Sequence, residues 1–191
     1  MLQLSYKIIL GSQSPRRREL LKLLDIPFTS ISLNADESFP SHLQAEEIAE
    51  FLAEKKSFLY SLKEDELLIT ADTIVWINNI VLNKPANADE AKQMLNILSN
   101  NEHSVFTGVC IRTQHHTIVF SDESKVSFKK LSDKEIDYYI HQYKPFDKAG
   151  AYGVQEWIGA IGISKIEGSY FNVMGLPVHL IYQHLKFFEN A

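Results

Sequence analysis

The chain has 191 residues, of which 45% are hydrophobic, so it is long enough to bury a core as one domain spanning residues 1–191. Its formal net charge of −5 argues against binding a nucleic acid or an anionic membrane through a basic surface. The single cysteine excludes an intrachain disulfide, and without an apolar run of about 18 residues or a signal-like start we expect a cytoplasmic protein with no membrane partner.

Helical and strand-like segments alternate along the chain. Strands are predicted at residues 4–11, 26–33, 66–77, 80–82, 103–113, 116–128 and 161–166, and helices at 16–24, 45–62, 87–98, 132–143 and 177–188. Asn78 and Asn79 predict a hairpin turn, and Asn87 with Glu90 predicts a capping box. The mixture of βα units and hairpins predicts an α/β fold with a mixed sheet.

The first candidate site is the segment "LGSQSPRRRELL", where a strand gives way to a helix. Ser14 can cap the first turn, and the proline after it suits the first helical position. Arg16 and Arg17 add positive charge to a helix N-terminus that is already positive, which is unfavourable unless an anion binds there. Backbone N–H groups, the Ser12 hydroxyl and these two guanidinium groups therefore predict a phosphate site. The alternative is a solvated charged face, which we favour for Arg18.

A second candidate is Asp72-Thr73, inside the apolar run "LLITADTIVW". A charged residue in a buried strand is costly unless it is paired or binds a metal ion. In α/β sheets the ligand site lies at the carboxyl ends of strands, where such a residue becomes accessible. Asp72 can there hold Mg²⁺ or take a proton from water, or it is simply paired with a lysine or arginine.

Further charged and amide side chains lie near predicted turns and helix ends. They are Glu37 in "NADES", Lys55 in "FLAEKK", Lys84 in "LNKPAN", and Lys148 and Gln155 in "DKAGAYGVQ". Each alone is more often a surface residue than a ligand. Together they supply what phosphoryl chemistry needs, namely cations for a polyphosphate and carboxylates for a divalent ion.

These motifs occur in the order typical of one family. The chain resembles the Maf (septum formation inhibitor-like) proteins, which are nucleoside triphosphate pyrophosphatases, through "LGSQSPRRRELL", "DES", "LAEKK", "ADTIV", "NKP", "TGV", "DKAGAYGVQ" and "GSYFNVMGLP". Lys56 and the pair Glu156-Trp157 are departures from the family's pattern. The resemblance implies a mixed α/β fold similar to the inosine triphosphate pyrophosphatases, with two lobes around a deep cleft, and a homodimer.

The resemblance also implies a reaction and a set of site residues. The reaction is hydrolysis of a nucleoside triphosphate to the monophosphate and pyrophosphate with Mg²⁺ or Mn²⁺, by water attack at the α-phosphate. Asp72 is the implied proton acceptor, and Glu37 with Asp72 is the implied metal-binding pair. The implied substrate-binding residues are Ser12, Arg16, Arg17, Lys55, Thr73, Lys84, Lys148 and Gln155.

The stretch "DKAGAYGVQ" resembles the subfamily that acts on dTTP and UTP. The amide of Gln155 offers both a donor and an acceptor, which matches the O4 and N3–H of uracil or thymine. CTP and modified pyrimidine nucleotides are possible further substrates, and removal of non-canonical nucleotides is the implied role. Two alternatives stay open: a 7-methyl-GTP pyrophosphatase, and a non-enzymatic regulator of septum formation in cell division.

Overall fold

The computed structural model describes residues 2–189, which form a mixture of helices and strands. The strands are β1 (Lys7–Gly11), β2 (Phe28–Ile31), β3 (Glu66–Ile77), β4 (Ile80–Leu82), β5 (Glu102–Arg112), β6 (Thr117–Phe128) and β7 (Ile163–Glu167). The helices are α1 (Pro15–Lys22), α2 (Glu46–Ser57), α3 (Ala88–Leu98), α4 (Asp133–Tyr143), α5 (Trp157–Gly162), α6 (Tyr170–Met174) and α7 (Val178–Leu185). Among these residues, no helix is both long and apolar enough to cross a bilayer.

Seven strands of the described residues form one mixed sheet, which confirms the predicted α/β class. The strand order is β2-β1-β3-β5-β6-β7, and β4 pairs with β3. β1 runs parallel to β2 and β3, whereas β4 is antiparallel to β3 and β7 is antiparallel to β6. β3 is buried along nearly its whole length, as its continuous apolar run predicts.

The described residues divide into two compact units, each built from separate stretches of the chain. Unit 1 comprises residues 2–72, 107–122 and 175–189, and unit 2 comprises residues 73–106 and 123–174. In unit 1, α2 packs so closely on β5 that a Cβ atom on Gly108 would lie 2.2 Å from the backbone of Ala49. Unit 2 has a core of buried apolar side chains from α3, α4 and the strands, including Leu95, Val105 and Ile136.

Most predicted elements are confirmed, with small shifts at their ends. β3 has the predicted bounds, and Asn78 and Asn79 adopt the positive φ values of 51° and 61° that a tight hairpin requires. The amide of Glu90 donates to the Asn87 side chain at 3.0 Å, which confirms the cap. The predicted reciprocal half is wrong, because the Glu90 carboxylate accepts from the amide of Ala86 at 2.9 Å instead.

Two differences have clear physical reasons. α2 ends at Ser57 and not at residue 62, because the Arg112 side chain donates to the carbonyls of Ser57 and Tyr60 at 2.5 and 2.7 Å. α5 forms where no helix is predicted, and its last two residues, 161 and 162, fall within the predicted strand 161–166. There Gly159 fits against Val154, whose carbonyl oxygen lies 2.1 Å from the position a Cβ atom would take.

Candidate active site

The turn between β1 and α1 has the predicted cap. The amide of Arg17 donates to the Ser14 hydroxyl at 3.4 Å, with a proline at the first helical position. The buried Ser12 hydroxyl in turn accepts from the amide of Ser14 at 3.2 Å. The two serines therefore hold the strand-to-helix turn in one conformation, and the first turn of α1 contains no acidic residue to balance its arginines.

The three arginines of α1 have different surroundings. Arg17 donates from Nε to the carbonyl of Gly175 at 2.8 Å and from a terminal nitrogen to the carbonyl of Ala71 at 2.6 Å. Burial lowers the pKa of Arg17, and the neighbouring Asp72 carboxylate opposes that shift. A guanidinium stays charged despite such a shift. Arg16 is half-buried and Arg18 is exposed, as expected for a surface residue.

Asp72 lies on β3 directly after the carbonyl that Arg17 holds, and it is buried. Its carboxylate makes a short ion pair with the ammonium of Lys56, on α2. The same ammonium lies 3.2 Å from Oε1 of Glu37. Two carboxylates therefore converge on one lysine, and the side chains of Lys56 and Asp72 are only 12% and 8% exposed. The structure thus brings the side chains of Asp72 and Glu37 to the same lysine, and their binding of a metal ion stays a prediction.

Lys55 lies beside this cluster but contacts other groups. Its ammonium lies 3.3 Å from Oδ2 of Asp36 and 2.9 Å from the carbonyl of Ser38. The Ser38 hydroxyl, followed by the Ser38 amide and Lys55, lowers the pKa of the exposed Asp36. Of the two adjacent lysines, Lys56 is the one that contacts Asp72, although Lys56 is a departure from the family's pattern.

The helical spacing of the α2 sequence indicates that Lys56 lies on the buried face of the helix. Ala49, Leu52 and Ala53 form the buried face of α2, and Lys56 follows them at the i+7, i+4 and i+3 positions. Lys56 therefore extends the inward face, whereas Lys55 is turned by about 100° from it.

The other predicted residues, Thr73, Lys84, Lys148 and Gln155, lie in unit 2. The backbone joins two of their segments, because the amide of Gly150 donates to the carbonyl of Asn83 at 3.2 Å. Gly150 has a φ of 66°, and a Cβ atom there would lie 2.9 Å from the Val75 side chain. Thr73 is half-buried, Lys84 and Gln155 are exposed, and both Thr73 and Lys84 make further contacts.

Lys148 is a nearly buried cation in unit 2. Its ammonium lies 2.7 Å from Oδ1 of Asp147 and 3.0 Å from Oε1 of Glu156. The second oxygen of Glu156 accepts a short hydrogen bond from the Tyr139 hydroxyl, which also accepts from the amide of Gly153 at 3.0 Å. Burial first, and Glu156 second, raise the pKa of Tyr139, so its hydroxyl stays protonated and donates.

Two carboxylates of unit 1, those of Asp72 and Glu37, suit a divalent ion that also binds a phosphate group. Within residues 2–189, no three His, Cys, Asp or Glu side chains are grouped so that they could hold a metal ion by themselves. Asp72 and Glu37 nevertheless already share one cation, the Lys56 ammonium. Mg²⁺ commonly binds one or two carboxylates and completes its coordination with phosphate oxygens and water. The donor set therefore fits Mg²⁺ or Mn²⁺ bound together with a phosphate ligand.

Comparisons with known proteins agree on one family. The family model described as "Maf-like protein" matches residues 7–188. A dTTP/UTP pyrophosphatase of Parabacteroides distasonis is 54% identical over 186 residues, which are 96% of each chain. A Porphyromonas gingivalis protein of the same name is 52% identical over 97% of this chain and 96% of its own. One from Flavobacterium johnsoniae is 51% identical over 94% of each chain.

The solved structures that match this chain are less similar to it in sequence than these relatives. A HAM1 protein from Coxiella burnetii is 16% identical, with a TM-score of 0.45, over 64% of this chain and 73% of its own.

Proposed function

The chain belongs to the Maf-like protein family, and from this premise we propose that it hydrolyses dTTP and UTP to the nucleoside monophosphate and pyrophosphate. The observation that carries the proposal is the 54% sequence identity, over 96% of the chain, to a dTTP/UTP pyrophosphatase. The geometry of unit 1 supports it, because a buried carboxylate, a lysine and an arginine-bearing helix start lie together there. These are groups that phosphoryl transfer needs.

We propose that Asp72 is the general base. It orients and deprotonates the water that attacks the α-phosphorus, and pyrophosphate leaves. Its buried position keeps the carboxylate in one place, and Arg17 fixes the preceding residue through the carbonyl of Ala71. Lys56 holds Asp72 and Glu37 side by side before substrate binds.

Asp72 and Glu37 are the proposed ligands of Mg²⁺ or Mn²⁺. Such an ion, when bound, neutralises phosphate charge and polarises the phosphoryl group. The ammonium of Lys56 has three N–H groups, so it would donate to Asp72 and also to a phosphate oxygen of the substrate.

The remaining predicted residues are proposed to bind the substrate. Ser12, Arg16, Arg17 and Lys55 serve the triphosphate in unit 1, to which we add Lys56. In unit 2 Lys84 and Lys148 are proposed to contribute positive charge, and Thr73 and Gln155 to bind the pyrimidine. The exposed amide of Gln155 supports this last role, because it is accessible to a ligand.

We also propose that the enzyme acts in the cytoplasm as a homodimer and removes non-canonical nucleotides there. CTP and modified pyrimidine triphosphates are candidate further substrates.

The deciding experiment measures pyrophosphate release from dTTP, UTP, CTP, 7-methyl-GTP and ATP with Mg²⁺ or Mn²⁺. We expect dTTP and UTP to have the highest kcat/KM, with nucleoside monophosphate as the second product. Release of inorganic phosphate in place of pyrophosphate would contradict attack at the α-phosphorus. Preference for 7-methyl-GTP would assign the other subfamily, and inactivity on every nucleotide would favour a non-enzymatic regulator.

A further inference from the structure

Glu156 lies between a buried tyrosine and a nearly buried lysine, all within unit 2. One of its oxygens is 3.0 Å from the ammonium of Lys148, and the other accepts from the Tyr139 hydroxyl. Tyr139 is fully buried on α4, and the Glu156 side chain is 19% exposed. The three side chains therefore form a continuous series of contacts from the buried Tyr139 through Glu156 to Lys148.

The backbone at Gly153 leaves room for the Glu156 carboxylate beside Tyr139. Gly153 donates its amide to the Tyr139 hydroxyl at 3.0 Å, and a Cβ atom there would lie 2.8 Å from the carboxyl carbon of Glu156. Glu156 is also the N-cap residue of α5, yet its side chain makes no capping hydrogen bond. Its carboxylate serves Lys148 and Tyr139 instead of the helix that it precedes.

We propose that Glu156 is a positioning residue for substrate binding, which acts by holding the Lys148 ammonium in one orientation, with Tyr139 as its anchor. Lysine has three ammonium N–H groups, of which one donates to Asp147 at 2.7 Å, while the Glu156 carboxylate lies 3.0 Å from the ammonium as an ion pair. The two carboxylates together limit where the ammonium can lie, and we assign a phosphate oxygen of the nucleotide as its further acceptor. The inference rests on the proposed function, in which Lys148 binds substrate.

This role is favoured over a purely structural ion pair by the flexibility of lysine. A free lysine side chain samples many rotamers, and holding it in the bound conformation beforehand lowers the entropy cost of binding. Positioning of this kind is expected to affect KM more than kcat, because it acts on the ground-state complex as much as on the transition state.

The test measures dTTP kinetics of the wild type, Glu156→Gln, Lys148→Met and the double variant. We expect Glu156→Gln to raise KM about tenfold, with kcat within about twofold, since hydrogen bonds to charged groups have effects of this size. In the Lys148→Met background the same substitution should change KM by less than about twofold. A wild-type KM in Glu156→Gln, or an undiminished effect without Lys148, would overturn the proposal.

Two further variants keep the result interpretable. Tyr139→Phe removes only the anchoring hydroxyl and should raise KM in the same direction, by about threefold. Glu167→Gln is the matched control, because Glu167 pairs with Lys165 on the exposed surface and should leave KM unchanged. Thermal unfolding followed by circular dichroism checks that each variant is folded; if Glu156→Gln is not, Tyr139→Phe decides.

A second readout does not depend on catalysis. The ammonium resonance of Lys148 in ¹⁵N-lysine NMR, identified by its loss in Lys148→Met, should be observable in the wild type and broadened in Glu156→Gln. An unchanged resonance would refute positioning by Glu156. A wild type that is inactive on every nucleotide but shows the expected NMR change would refute the proposed function alone.

Discussion

Lys56 balances the charge of the candidate active site. It is the cation that Asp72 and Glu37 share, and its side chain is 12% exposed. Without it two carboxylates would face each other in a partly buried place, where the repulsion is weakly screened. Lys55, one position away, contacts the exposed Asp36 and the Ser38 carbonyl instead.

These contacts lead to a prediction about adjacent lysines. Lys56→Met should lower kcat/KM for dTTP on the order of 10- to 100-fold, because it removes a charged hydrogen bond to the proposed base. Lys55→Met, the matched control, should have a smaller effect. Steady-state kinetics of both variants checks this. A larger loss of kcat/KM in Lys55→Met than in Lys56→Met would show that Lys55 is the more important of the two lysines.

The proposed base has its own test. Asp72→Asn keeps the size and the hydrogen-bonding capacity of the side chain but removes its ability to accept a proton. We expect kcat to fall about 10²- to 10⁴-fold, as is typical when a general base is lost. Pyrophosphate release under saturating dTTP measures the change. Near-wild-type turnover in a folded Asp72→Asn protein would exclude Asp72 as the base.

At the level of elements, the contact between α2 and β5 holds the helix that bears Lys56. At Gly108 a Cβ atom would overlap the backbone of Ala49 at 2.2 Å, so the helix and the strand can approach only if this residue is glycine. The neighbours of Gly162, in contrast, are side-chain atoms of Phe128 and Leu131 at 3.0 to 3.1 Å. Side chains can shift by a few tenths of an ångström, whereas paired backbone cannot do so without moving the element.

This difference predicts that an alanine destabilises the protein more at position 108 than at position 162. Gly108→Ala should lower the free energy of unfolding by about 3 kcal/mol or more, at the upper end of the range for overpacking. Gly162→Ala should lower it by about 1 kcal/mol or less, since its neighbours can repack. Urea denaturation of both variants measures the difference. Equal losses would show that the packing of α2 on β5 adapts as easily as a side-chain contact.

Elements with strong local patterns could be predicted from the sequence, and elements made by distant contacts could not. β3 was predictable because its apolar run is uninterrupted. The end of α2 was not, because the carbonyls of Ser57 and Tyr60 are bound by Arg112, far along the chain. α5 has two glycines in six residues, which weakens its helical pattern, and it depends on the close packing of Gly159 against the backbone of Val154.

The same division holds for the site. Motifs indicated Asp72, Glu37 and the arginines of α1, which unit 1 contains together. The choice between Lys55 and Lys56 depended on which face of α2 is buried, and this needs the packing of the helix as well as its sequence. The link from Tyr139 through Glu156 to Lys148 was not foreseeable, because each contact joins residues from different segments.

For the whole molecule, stability should depend on pH through a buried histidine. His103 lies in unit 2, where Nε2 is 2.7 Å from the Tyr152 hydroxyl and the ring stacks on Phe128. Burial lowers the pKa of His103 to about 4 from an ordinary value of 6.5. Between these two pH values the unfolded chain binds a proton that the folded chain does not. The free energy of unfolding is therefore higher at neutral pH and decreases as the pH falls.

Lowering the pH from about 7 to about 5 should therefore cost about 2 kcal/mol of unfolding free energy through this residue. His103→Gln keeps a hydrogen-bonding group but does not titrate, so its loss over the same range should be smaller by that amount. Urea denaturation at both pH values compares the two proteins. Parallel losses would show that His103 is not responsible.

We propose that residues 1–191 fold as one domain, because neither unit is continuous along the chain. The unit boundaries fall at 72/73, 106/107, 122/123 and 174/175, and the first three lie inside β3, β5 and β6. The proposed base-binding residues Thr73 and Gln155 therefore lie in separate stretches of the chain and cannot be exchanged between homologues as one continuous segment. A chimaera that exchanges unit 2 needs four junctions, three of them within strands, so recombination at loops is expected to give misfolded proteins. Point substitutions are the practical route to redesigning the substrate range.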